Sequence, residues 1–456
     1  MLSSKFFSPG RRLIVGVSAM IPLLSACSVA EKKTEEPRSI FIVSHEENID
    51  REGSMKLVFG VTPADFIFTP QQLSLCPKSV NDYLKISGVE SLGNGKFSAS
   101  VEDRGCGEAY CLDVTLRIGV SGTQEGEILS DPFVIRYSPR EYDFAVLTNE
   151  TVYDEHNHAA FTGLLDYRGT LYLAFREGAS HRPSSTADYG VIKVLARNGS
   201  LWKENAVIRD PAKDLRDPFL VKVGGVMRMY IGYNTFEGER YQHSGSVYAD
   251  YEDGKWSEVK PVRHDVPHIA WLWKVRKYAD KYYSVAYLEG EQPVLLRSSD
   301  GVDWETVTSF PLEGILSEAD MAFVGKTLYV CLRKDQPVGS PSLWGVARDP
   351  FEAFTWTEMT TCVESPELLR LPFSNSILLA GRERHPSSSE VSTTLFCCSA
   401  AGELSKVATL ETGMGCDTGY PGLALKDGSL YCSYYMGKQN AAHIQFSKLS
   451  VKQKEI

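Results

Sequence analysis

Phe161-Thr162-Gly163-Leu164-Leu165, running through Gly169 to Ala174-Phe175-Arg176-Glu177, is the first of six similar stretches. Each has an opening residue, an apolar run, a tight turn and a second strand. The series continues with Asp217-Pro218-Phe219-Leu220-Val221 through Gly225 to Met229-Tyr230-Ile231, and with Trp271-Leu272-Trp273-Lys274-Val275 through Asp280 to Ala286-Tyr287. It ends with Glu318-Ala319-Asp320-Met321-Ala322-Phe323 through Gly325 to Cys331-Leu332-Arg333, with Pro366-Glu367-Leu368-Leu369 through Asn375 to Gly381-Arg382, and with Tyr420-Pro421-Gly422-Leu423-Ala424 through Gly428 to Ser433-Tyr434-Tyr435. The turns recur at roughly 50-residue intervals, the length of a four-stranded propeller blade. The repeat therefore predicts an all-β, six-bladed β-propeller over residues 139–456.

Second hairpins lie between the repeats and carry small polar turns ahead of an aromatic: Arg197-Asn198-Gly199-Ser200-Leu201-Trp202, Glu252-Asp253-Gly254-Lys255-Trp256 and Ser298-Ser299-Asp300-Gly301-Val302-Asp303-Trp304. Asn-Gly and Asp-Gly supply the positive φ that tight hairpins demand, and the tryptophan packs between sheets. The last strands, Ala442 to Val451, look short for a blade. Phe144-Ala145-Val146-Leu147 is expected to close the ring, protecting its edges.

Ahead of the repeat, residues 39–138 alternate in short runs such as Lys56-Leu57-Val58-Phe59-Gly60-Val61, broken by Gly, Pro, Asn and Asp. That pattern suggests an immunoglobulin-like β-sandwich serving as a spacer, with weak carbohydrate binding as the other role. Residues 1–26 read as a signal peptide: Lys5, Arg11 and Arg12 precede the apolar Leu13 to Leu24, which ends in Leu24-Ser25-Ala26-Cys27. This matches a bacterial lipobox, so Cys27 is expected to carry the lipid, with residues 27–38 as a polar tether. The expected location is the cell envelope of a Gram-negative bacterium, outer-membrane anchored and facing the periplasm or the surface. No later run reaches the roughly 20 apolar residues that span a bilayer.

The 456 residues carry a formal net charge of −10, with 43% apolar and 23% charged residues. That composition supports a full core and offers no basic footprint for nucleic acid. Ten cysteines leave nine after Cys27. Cys106 and Cys111 can close a small loop, with Cys76 as a rival, and Cys416 and Cys432 fall on neighbouring strands. No paired C-x-x-C spacing occurs, so neither a metal nor a cofactor is expected. The chain reads as a monomer, touching the membrane through its anchor only.

The strand-turn-strand repeats with degenerate S-x-D-G-x-x-W turns resemble the sialidase (neuraminidase) superfamily. The segments His156-Asn157-His158-Ala159-Ala160-Phe161-Thr162, Phe175-Arg176-Glu177-Gly178, Asp214-Leu215-Arg216-Asp217 and Trp271-Leu272-Trp273-Lys274-Val275 are similar to a bacterial exo-α-sialidase-like lipoprotein group. The resemblance implies a retaining exo-glycosidase that releases a terminal acidic sugar from a glycan, with a tyrosine nucleophile in place of the usual carboxylate. It implies Tyr420 as nucleophile, Glu318 as its proton acceptor and Asp188 as acid and base, with His181 as rival for that last role. Arg333, Arg176, Arg216 and Arg382 are the candidates to grip a substrate carboxylate. His158, Trp271 and Trp273 complete the substrate wall, one tryptophan stacking on sugar and the other in the core. The first hairpin opens without the Arg-Ile-Pro of sialidases, so one carboxylate-binding arginine is absent or supplied from elsewhere. Two other readings stand beside this one: a non-catalytic glycan-binding propeller, and a glycosidase or polysaccharide lyase working through His158 and His181.

Overall fold

The computed structural model describes residues 38–454, apart from 50–53, 79–80, 82–83, 104–112, 124–125, 138–139, 238–239, 267–270, 288–290, 372–373, 375, 385–388, 415–416 and 439. The expected signal segment, Cys27, Cys106, Cys111, Cys416 and the expected Asn375 turn lie outside the described residues. No described helix is long and apolar enough to cross a membrane.

The N-terminal region forms two sheets. One orders Ser39–His45, Ser54–Thr62, Lys96–Asp103 and Leu84–Gly93; the other is built on Asp113–Thr123, flanked by Phe133–Tyr137, Leu73–Cys76 and Gly126–Leu129. Alternation along Ser54–Thr62 sends Met55, Leu57, Phe59 and Val61 inward, where they join Leu75, Val101, Leu116, Ile118 and Ile135 in a core of their own.

Beyond residue 141 the chain forms antiparallel hairpins. The first strands of the six repeats are His158–Tyr167, Asp214–Val223, Trp271–Tyr278, Leu316–Val324, Cys362–Arg370 and Asp417–Lys426. Each pairs with the strand that follows it, and each packs on the first strand of the next repeat, the sixth returning to the first. The close approach is visible at Gly163, where an added Cβ would stand 2.3 Å from the Pro218 carbonyl oxygen. Apolar faces of neighbouring sheets interlock, as where Tyr283, Val285 and Leu295 meet Met321, Phe323 and Val330.

The turns behave as their chemistry requires. Gly199, Asp253, Gly254 and Gly301 have positive φ. In the Ser298–Trp304 turn the Asp300 carboxylate accepts the amides of Val302 and Asp303 at 2.8 and 3.0 Å, and Trp304 is buried. Tyr142–Tyr153 pairs antiparallel with the last strand, Ala441–Gln453, which gives the short final repeat its outer strand. One pairing expectation fails on register: Cys432 faces Leu423 in its ladder and is a free thiol. Cys76, Cys331, Cys362, Cys397 and Cys398 are free as well.

All six first strands carry the same irregularity. Two residues oppose one on the partner strand at Phe161-Thr162, Asp217-Pro218, Trp273-Lys274, Ser317-Glu318, Ser365-Pro366 and Tyr420-Pro421. Phe161, Asp217, Ser365 and Tyr420 have φ of 61°, 46°, 48° and 49°. A bulge breaks the pairing locally and re-aims a side chain. Repeated six times at one end of a ring of strands, it gathers the side chains of distant repeats.

Candidate active site

Tyr420 and Glu318 both stand at such bulges, and the Tyr420 hydroxyl donates a short hydrogen bond to Glu318 Oε1. The other carboxylate oxygen, Oε2, accepts the Ser365 amide at 2.6 Å and meets Arg333 Nη1 at 2.8 Å. Arg333 is the residue opposite the Ser317-Glu318 bulge, so one hairpin supplies both the carboxylate and its cation. The Tyr420 backbone is pinned as well: its amide donates to Ser365 Oγ at 3.1 Å and its carbonyl accepts from Thr162 Oγ1 at 2.8 Å. Burial and the carboxylates of Glu318 and Asp217 push the Tyr420 phenol well above its ordinary range. It therefore stays protonated at rest, and Glu318 Oε1 is the acceptor its proton has among the described residues.

Three arginines converge on Glu364. Arg384 binds it through two nitrogens at 2.9 and 3.0 Å, Arg382 Nη1 reaches it at 3.1 Å, and Arg333 Nη2 lies at 3.5 Å. Burial opposes the charge, yet Arg384, Arg333 and Arg382 together hold the Glu364 carboxyl down at about 2. Arg382 also donates to Asp417 Oδ1 at 2.6 Å and to the Tyr435 hydroxyl at 2.8 Å, and its guanidinium lies over the Tyr420 ring.

Arg176 is wholly buried, and its Nε and Nη2 donate to Asp214 Oδ1 at 3.1 and 2.8 Å. That makes it part of the wall. Arg216 binds the other Asp214 oxygen at 3.3 Å, donates to the His181 carbonyl at 2.9 Å and lies 4.7 Å over the Phe161 ring. His181 Nδ1 lies 3.2 Å from Asp417 Oδ2. Burial, with help from Arg216, lowers the His181 imidazole. His158 is 0% exposed, neither ring nitrogen has a hydrogen-bond partner among the described residues, and burial with the charges of His181 and Arg176 holds it down at about 3.

The structure separates the two residues expected to compete as acid. Asp188 accepts from Ser184 Oγ and Ser185 Oγ of its own loop, and those bonds lower its carboxyl, which disfavours the protonated form an acid needs. His181 joins the cluster through Asp417. A third group is better placed than sequence reasoning expected. Asp217 sits at the second bulge with Oδ1 unpartnered among the described residues, and burial raises its carboxyl to about 7. Its charge acts on Tyr420 and on Tyr287, a second phenol pushed well up by burial. The available signal was the X-Pro pair: Asp217-Pro218, Ser365-Pro366 and Tyr420-Pro421 occupy the same bulge in three repeats.

Trp271 and Trp273 are both buried, so neither is an open stacking wall in this conformation. Trp271 covers Gly232, where an added Cβ would lie 2.2 Å from the indole. Trp273 packs edge-on to Tyr420, with ring centroids 5.9 Å apart. Below the site, Lys274 and Arg276 bind Glu367 at 2.8 and 3.0 Å, and Arg276 Nε binds Asp320 Oδ1 at 2.9 Å. These buried pairs tie the third, fourth and fifth repeats together.

No protein family matches the chain by sequence, and no curated protein does. Solved structures do resemble it. The phage phi92 endosialidase matches with a TM-score of 0.50 at 10% identity, covering 72% of each chain. Trypanosoma rangeli sialidase gives 0.47 at 13% identity over 64% of this chain, which spans 55% of that protein's length. The NanB sialidase from Streptococcus pneumoniae gives 0.48 at 9% identity, covering 87% and 83% of the two chains. At 10% identity the likeness to the phage endosialidase carries the fold alone, a β-propeller of the kind sialidases have.

Proposed function

We propose that the chain is a retaining exo-glycosidase that removes a terminal acidic sugar, with Tyr420 as nucleophile. The observation that carries this reading is the Tyr420 hydroxyl bonded to a Glu318 whose other oxygen is held by Arg333 and the Ser365 amide. In this reading the one eight-stranded sheet, which holds the strands of the first and sixth repeats together with Tyr142–Tyr153, is two blades joined through the parallel pair of His158 and Ala442, which makes six blades in all.

A buried phenol is a poor nucleophile until it loses its proton, and Glu318 Oε1 accepts that proton as the bond to the anomeric carbon forms. A neutral nucleophile suits an anomeric centre that bears a carboxylate, because it brings no charge repulsion. Asp217 is the proton donor we assign to the departing oxygen, since a carboxyl near 7 keeps a large protonated fraction in neutral solution and ionises readily. Water then attacks the glycosyl-tyrosine, with Asp217 as base. Arg333, Arg382 and Arg216 face the substrate carboxylate, and Arg176 keeps the wall in place through Asp214. The lipid anchor at Cys27 would hold the enzyme in the envelope, with the N-terminal sheets, an immunoglobulin-like sandwich in this account, as spacer.

One observation favours a second reading, a glycan-binding propeller without turnover. Arg382 and Arg384 are already paired with Glu364, and Arg333 with Glu318 and Asp335, so a ligand carboxylate must share them. The test is incubation of the full chain with glycans ending in sialic, ketodeoxyoctonic and uronic acids, followed by chromatography of released sugar. Release of one free acidic sugar supports the glycosidase; binding by calorimetry without release supports the second reading.

A further inference from the structure

His158, His181 and Asp417 place one donor atom each within 4.8 Å of one another, at the edge of the arginine-lined site. They come from the first strand of the first repeat, from the loop after its second strand and from the first strand of the sixth, with 236 residues between His181 and Asp417. No sequence spacing could announce such a set.

The second observation is His158 itself. The ring is wholly buried, edge-on to His181 at 5.3 Å and to Tyr435 at 6.1 Å, yet neither nitrogen has a hydrogen-bond partner among the described residues. Buried imidazole nitrogens are normally satisfied, and leaving one unmet costs about 1–3 kcal/mol. Asp417 is also oriented for the purpose: Arg382 holds Oδ1, which leaves Oδ2 toward His181.

We propose that His158, His181 and Asp417 form a binding site for a divalent transition-metal ion of the zinc class. Two imidazoles and one carboxylate suit a borderline ion, whereas calcium and magnesium prefer a shell of oxygen. Donors about 2.0–2.2 Å from one tetrahedral ion lie about 3.3–3.6 Å apart, so the widest pair closes by roughly an ångström or a little more on loading. His181, part-buried and on a loop rather than a strand, is the donor that moves most readily. Arg176, Arg216 and Arg382 also face this cluster, offset by Asp214 and Glu364. A divalent ion adds positive charge there, which an anionic fourth ligand, hydroxide or a substrate carboxylate, would balance. The ion would thus bring a cation to the first repeat, whose opening strand has no arginine. The site stands apart from the Tyr420 reading, because metal content reports one and sugar release the other.

The test loads the full chain with Zn²⁺, removes free ion by gel filtration and measures retained zinc by mass spectrometry, with Co²⁺ as a visible-absorption probe. Wild type and His156→Ala, which alters an exposed histidine on the same segment, should each retain one equivalent. His181→Ala and Asp417→Asn should retain less than a tenth of that, while melting as cooperatively as wild type. Retention by His181→Ala equal to wild type overturns the proposal, and so does a folded wild type that retains none. His158→Ala is a weaker probe, because its ring fills the core between the first and sixth repeats.

Discussion

Tyr420 and Glu318 are 102 residues apart in sequence and meet because each sits at the same break in the strand ladder. Their positions were legible as a pattern: a tyrosine and a glutamate opening inner strands, with an arginine closing the glutamate's hairpin. Asp217 was equally visible as an opening residue. Its chemistry was not, because burial sets a carboxyl's proton affinity and sequence does not report burial. The expected consequence is a pH profile. Turnover should hold below pH 7 on its basic side and fall above it as Asp217 ionises, and Asp217→Asn should abolish that limb and lower kcat by about 10²-fold. Asp188→Asn should change kcat less than threefold. Initial rates across pH 5 to 9 on the released-sugar assay check both.

At the scale of the strand and its turn, glycines divide into two kinds with different costs. Gly163 lies where two first strands nearly touch, so Gly163→Ala forces the Pro218 carbonyl away and should cost about 2–3 kcal/mol. Gly254 has φ of 78° in an Asp-Gly turn with nothing nearby, so Gly254→Ala should cost only about 1 kcal/mol through backbone conformation. Denaturant titration of the two variants separates close approach from turn geometry. The turn at Gly254 was readable from its dipeptide. The contact at Gly163 was not, because its partner belongs to another repeat. The bulges fall between these cases: the X-Pro pairs mark three of them, and the other three carry no local signal.

For the whole molecule, the ring and its closure follow from the repeat, and Tyr142–Tyr153 is the strand that completes it. Deleting residues 142–153 should expose the edge of Ala441–Gln453, replace the cooperative melt with a broad one and raise light scattering. Acid should act on the whole fold through Glu364. Its carboxyl is about 2 folded against 4.5 as the reference, so the stabilisation is complete above about pH 4.5 and lost as pH falls toward 2. The amount is of order 3 kcal/mol, and Glu364→Gln should remove that pH dependence from the unfolding free energy. What the sequence could not convey at this scale is the pairing of charges across repeats, where Glu364 gathers arginines from two hairpins.

The central claim is that Tyr420 and Glu318 act as one nucleophilic unit. Its most direct test is turnover of 4-methylumbelliferyl glycosides of sialic, ketodeoxyoctonic and uronic acids by wild type, Tyr420→Phe, Glu318→Gln and the double variant. The account predicts release from one substrate by wild type, a fall of at least about 10³-fold in kcat for each single variant, and little further loss in the double. Full activity in Tyr420→Phe, or losses that multiply in the double variant, would contradict it.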